Sequence, residues 1–129
     1  MSTEKQLPAK QLAIVIGQNT YETKFPNNGQ LIDMERMKIQ LTDGTHKSML
    51  FGQQSAHQAY LLTETIATFS ILLPDLLKDL QVKSLLELDP YKSKILTKAY
   101  RETFYPWFKQ WMDIINDSEE EEQKKEEVK

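Results

Sequence analysis

Cysteine is missing from the whole chain of 129 residues. Its absence excludes disulfides, thiolate metal sites and a cysteine nucleophile, and it fits a reducing compartment. Histidine is scarce. His46 and His57 lie outside any ligand spacing such as His-Glu-x-x-His, so both are read as surface or satisfied side chains and not as metal ligands. The four glycines, Gly17, Gly29, Gly44 and Gly52, are isolated and fall in predicted turns. No glycine-rich loop is available to cradle a phosphate. No serine sits in a nucleophile-elbow context. Arginine occurs twice, as Arg36 and Arg101. The longest apolar stretch, Ala59 to Leu73, is interrupted by Glu64 and is shorter than the ~20 residues that span a bilayer. The first residues, Met-Ser-Thr-Glu-Lys-Gln-Leu-Pro, hold no apolar signal core. These absences leave no catalytic residue, no metal ligand and no cofactor to assign, and the chain is expected not to be an enzyme.

Apolar residues make up 40% of the chain and charged residues 27%, so a packed core is feasible and global disorder is not expected. The length suits one domain. The net charge of −3 is unevenly spread. From Asp117 to Lys129 seven acids face three lysines, a net of −4, while residues 1–116 carry a net of +1. A nearly neutral domain with an anionic tail is poorly suited to gripping phosphates, so neither nucleic acid nor a membrane is expected as a partner. The tail reads either as a solubilising end or as an acidic mimic that shields a basic surface on a partner.

Local patterns divide the chain into a flexible arm (1–11), a single α+β domain (12–116) and a disordered acidic tail or frayed helix (117–129). Leu12–Ile16 and Thr20–Phe25, around Gly17-Gln-Asn19, read as a β-hairpin, with Tyr21, Thr23 and Phe25 sharing a face. Pro26-Asn-Asn-Gly29 ends it. Gln30 to Leu41 is ambiguous between helix and strand. Its acids come early and its bases late, which favours an amphipathic helix closed by Thr42-Asp43-Gly44. His46 to Phe51 reads as a third short strand or an extended connection. Gln54 to Leu73 reads as the central buried helix, with Ala59, Leu62, Ile66, Phe69 and Leu73 as its stripe and Glu64 as its only charge. A short helix is expected over Asp75–Leu80. Asp89-Pro90 is a strong start for a helix that reaches Pro106, which either kinks it or opens a new one. The fold class is therefore α+β: an N-terminal hairpin followed by a bundle of three to four helices, mainly helical.

Tyr100 to Trp111 holds six of the twelve aromatic residues and both tryptophans. On a helix, Tyr100, Phe104, Trp107, Phe108 and Trp111 line one broad face and Tyr105 points away. The plain reading is that this face caps the core. The functional reading is that some rings stay exposed and anchor a protein partner, as aromatics do at binding hot spots. The candidate partner-binding residues are Tyr105, Trp107, Phe108 and Trp111. The hairpin edge at Thr20–Phe25 is the next candidate, because an open edge can accept another chain.

The order Ile14-Val-Ile-Gly-Gln-Asn-Thr-Tyr-Glu-Thr-Lys-Phe-Pro26, then Gly29-Gln-Leu-Ile-Asp-Met-Glu35 with Lys38, then Leu41-Thr-Asp-Gly44 and a helical half, resembles small phage proteins of the tail-assembly-chaperone type. A Tyr…Pro-Trp…Trp segment near the end is similar to that in small proteins of Bacteroidetes phages. The resemblance covers roughly residues 12–116 and transfers no individual residue role. It implies a non-catalytic assembly factor that binds another phage structural protein, as tail assembly chaperones bind the tape-measure protein. The alternative is a permanent ring or adaptor subunit of the virion. A small enzyme or nucleic-acid binder ranks third. The implied location is the cytoplasm of the infected bacterial host, or the virion, and a homo-oligomer is compatible with either role.

Overall fold

The computed structural model describes residues 7–127, with side chains through Asp117. The chain opens with an antiparallel hairpin, β1 (Gln11–Ile16) and β2 (Asn19–Lys24), in the register Ile14 to Tyr21 and Ile16 to Asn19. Gly17 takes a positive φ of 65° and Gln18 does not. That is the pattern of a two-residue II′ turn, which needs glycine at its first central position. Alternation then sorts the faces. Ile14, Ile16, Tyr21 and Thr23 turn inward, while Ala13, Val15, Glu22 and Lys24 turn outward.

The ambiguous segment after the hairpin is a helix, α1 (Asn28–Thr42). Asn27 caps it: its side chain accepts from the Gln30 N–H at 2.8 Å, and the Gln30 side chain returns a bond to the Asn27 N–H at 3.0 Å. This reciprocal box satisfies two otherwise orphaned donors, which the strand reading could not offer. Asp43 at φ 53° and Gly44 at φ 81° close the helix in left-handed conformations.

His46–Phe51 is neither strand nor extended connection but a 3-10 helix. The Thr45 carbonyl accepts from both the Ser48 N–H and its hydroxyl, at 3.1 and 2.7 Å, and the Thr45 hydroxyl donates to the Thr42 carbonyl at 2.6 Å. Local polar closure therefore wins over β propensity.

Helix α2 (Gln54–Leu72) is central. It packs against α1, the 3-10 turn, α3 (Pro74–Leu80) and α4 (Pro90–Ala99). Phe69 is fully buried, but the expected stripe is only partly inside. Ala59, Leu62 and Ile66 are half-buried, whereas Thr63, Thr65 and Thr68 are buried. Thr63 and Thr65 fit because they donate back to the carbonyls of Ala59 and Leu61, each at 2.8 Å, whereas the Thr68 hydroxyl is buried without a partner among the described residues. Such internal bonds lower the cost of burying a hydroxyl. Asp89 caps α4 by accepting from the Lys92 N–H at 2.7 Å, with Pro90 at the first helical position. One core joins the hairpin to the helices through Ile14, Phe69, Leu76, Leu85, Leu96 and Phe104. The architecture is an α+β hairpin followed by five α-helices, counted among the described residues.

Candidate functional site

Helix α4 does not end before the aromatic segment. Ala99, Tyr100 and Tyr105 all keep right-handed helical angles, and Tyr100–Phe104 forms a π-helical turn that leads directly into α5 (Tyr105–Glu127). The Tyr105 N–H bonds the Tyr100 carbonyl, five residues back. Proline at 106 has no N–H and would crowd a normal turn before it. The wider π turn absorbs that conflict without breaking the helix. The α5 backbone remains helical to Glu127, through much of the stretch read as a tail.

This turn fixes where the rings go. Phe104 and Trp107 are buried, Phe108 and Trp111 are half-buried, and Tyr105 faces solvent with 45% of its surface exposed. Phe25, arriving from the end of β2, lies over the last three rings of the inward face. Its centroid is 5.7 Å from Trp107, edge to face, 5.4 Å from Phe108, stacked, and 5.9 Å from Trp111. The two indoles also hold the N-terminal segment. The Nε1–H of Trp107 and that of Trp111 both donate to the Ala9 carbonyl, at 2.7 and 3.1 Å. The arm expected to be loose through residue 11 is thus anchored at Ala9 and becomes β1 at Gln11, because two buried-side indole donors need an acceptor. Residues 1–6 of that arm lie outside the described residues. Of the four rings read as partner anchors, Tyr105 is the widely exposed one, and the other three carry internal packing.

On the other side of Phe108 lies a polar centre. Glu64, the single charge of α2, accepts from Lys38 Nζ at 2.8 Å, His46 Nε2 at 2.9 Å and the Tyr100 hydroxyl at 3.2 Å. Its side chain and that of Lys38 are both nearly nine-tenths covered. Burial pushes the Glu64 carboxyl up, but the hydrogen bond and charge of Lys38, with help from His46 and Tyr60, hold it below the ordinary carboxylate value. Burial, together with the Glu64 charge, raises the Tyr60 and Tyr100 hydroxyls well above the usual tyrosine value. His46 stacks on Tyr60 with centroids 4.5 Å apart. A carboxylate kept ionised and held by several donors is suited to fixing three elements together. It is poorly suited to exchanging a proton near neutral pH, which would need a raised value.

Above this centre an open groove of about 340 Å³ runs between α1, α2 and α5. Leu31, Met34, Phe108 and Met112 form its apolar walls, and Lys38 and Glu64 its polar floor. Tyr105 stands at the Tyr100 end, with ring centroids 6.2 Å apart. Methionines from two helices give the walls adaptable side chains. Among the described residues, no group of three histidine, aspartate or glutamate side chains is placed to hold a metal ion. Sequence reasoning singled out Glu64 for its isolation but missed its partners, which come from α1, the 3-10 turn and the π turn. No known protein family, curated protein or solved structure matches the chain.

Proposed function

We propose that this chain is a non-catalytic protein-binding protein whose groove between α1, α2 and α5, with Tyr105 beside it, receives an apolar projection of a partner protein. One observation supports the reading most: an apolar-walled groove with a fixed ionic floor stands open next to an exposed tyrosine. Such combinations of aromatic, methionine and ordered polar groups are what binding hot spots use. The resemblance in hairpin, turn and Pro-Trp segments supports a phage assembly factor, of the tail-assembly-chaperone type, that binds another phage structural protein. It would work in the host cytoplasm. Among the described residues, no single helix is long and apolar enough to cross a membrane.

A permanent virion subunit would use the same groove, and mass spectrometry separates the two. Presence in infected-cell lysate and absence from purified particles fits the assembly factor. Stoichiometric presence in particles fits the subunit. Absence from both removes the phage reading. Within a complex, Met112→Glu should place a charge in the groove wall and weaken association by about 2–4 kcal/mol. Unchanged affinity would place the interface elsewhere.

A further inference from the structure

We infer that the tryptophan cradle is a site for an extended, proline-containing peptide segment, and that in the free chain the Leu7-Pro8-Ala9 segment occupies it. The inference deepens the protein-binding role and rests on it. The carrying observation is convergence. Two indole donors from successive turns of α5 meet on one backbone oxygen, that of Ala9, at 2.7 and 3.1 Å. A backbone carbonyl is common to every peptide, so this contact recognises a chain path and not a side chain. Proline next to it favours an extended conformation and lowers the entropy lost on docking. Aromatic-lined grooves take such segments for that reason.

The chain's own segment is held lightly. Leu7 is 60% exposed and adds little burial. Pro8 is half-buried, and Ala9 is exposed apart from its carbonyl contact. The ladder of β1 begins at Gln11, so the segment can leave without unpairing the hairpin. The cradle itself stays formed, because Phe25 holds Trp107, Phe108 and Trp111 from the hairpin side. A partner segment that places a carbonyl after a proline meets the same two donors.

The test uses the full chain and a synthetic peptide of residues 5–11, Lys-Gln-Leu-Pro-Ala-Lys-Gln. The chain has two tryptophans, so its ¹⁵N–¹H spectrum has two indole signals to follow. A tethered segment competes at an effective concentration on the order of millimolar, so the peptide carrying a nitroxide at its N-terminus should broaden both signals in that range, a readout that does not need the displaced and the incoming segment to differ. In the full-length variant Pro8→Gly the same broadening should occur at about two- to fivefold lower peptide concentration, the ratio matching a proline-to-glycine difference in ordering. Unbroadened indole signals in both proteins, with helicity retained, overturn the inference. Equal broadening by the nitroxide peptide that carries Pro8→Gly overturns it too. If Pro8→Gly fails to fold, the wild-type titration decides alone. The peptide experiment contains no partner protein, and the groove is tested by Met112→Glu, so failure of the cradle and failure of the protein-binding role are told apart.

Discussion

Phe108 separates two regions of opposite character. On one side, Phe25, Trp107 and Trp111 pack ring against ring and close over the Ala9 carbonyl. On the other, Glu64 gathers Lys38, His46 and Tyr100 and leaves an open groove above them. The aromatic region is richer in the residue types that dominate interfaces, yet the chain itself covers most of it. The polar region has tyrosines in place of tryptophans, and more open surface. Aromatic density in a sequence therefore measures available contact area, and the neighbours decide who uses it.

The two regions differ most at the polar centre. Glu64→Leu should destabilise the fold by about 3–5 kcal/mol, because it leaves Lys38 largely buried with only the longer 3.5 Å contact to the half-exposed Glu35 carboxylate. Adding Lys38→Met should recover most of that loss, since replacing both members of a buried pair with apolar groups is often neutral. Urea unfolding of the single and double variants measures both. If Glu64→Leu proves neutral, the pair is solvated and the centre is not what fixes the groove floor. An equal test on the aromatic side is Phe25→Ala. Phe25 is half-buried but touches three rings, so a cost of about 2–3 kcal/mol is expected, below the range for a fully buried phenylalanine. Phe69→Ala, at a fully buried site, should reach about 3–5 kcal/mol, with Ile66→Ala well below it.

These side chains also mark what could be read in advance. The hairpin, the start at Asp89-Pro90 and the helix at Gln54 are legible because each rests on short-range signals: alternation, a cap, a 3.6-residue period. The 3-10 turn at His46–Phe51 was missed because hydroxyl-to-carbonyl bonds around Thr45 leave no periodic trace. The aromatic face could be placed on its helix, and Tyr105 set apart from it. What covers that face could not, since Ala9 lies 98 and 102 residues from the indoles that hold it. Glu64 stood out as a lone charge, but only the packing of α1 and the π turn supplies Lys38 and Tyr100.

A smaller effect separates the regions by pH. Burial raises the folded value of Glu64, but Lys38, His46 and Tyr60 together outweigh it and leave that value below the ordinary one. The ionised group therefore contributes stability that is fully present above about pH 4.3, its unfolded value. That contribution is lost as pH falls through the lower folded value. Tyr60 and Tyr100 are raised by burial and by Glu64, so their contribution is present below about pH 10 and lost above it. Thermal melts across both limits should show these losses in the wild type. In the Lys38→Met/Glu64→Leu variant the acid loss should shrink. An unchanged acid limb there would assign the loss to other carboxylates.

The smallest effect on stability should accompany the largest on association, and it falls at Tyr105. Its ring is 45% exposed and begins α5, beside Tyr100 at the end of the groove. Removing it uncovers little apolar area, so Tyr105→Ser should change stability by no more than about 0.5 kcal/mol, as surface substitutions usually do. A partner seated in the groove would bury the same ring, and an aromatic anchor at an interface is typically worth about 1–4 kcal/mol. Calorimetric titration of a purified complex should then show weaker binding with an unchanged melting temperature for the free variant. Trp107→Phe differs: it keeps the exposed rim and removes one indole bond to Ala9, at a cost of about 0.5–1.5 kcal/mol in stability, together with one of the two donors a partner segment would meet in the cradle. If Tyr105→Ser binds normally while Trp107→Phe alone binds poorly, the partner uses the cradle and not the groove. The self-covered region would then be the whole working surface and the open one part of the structural core.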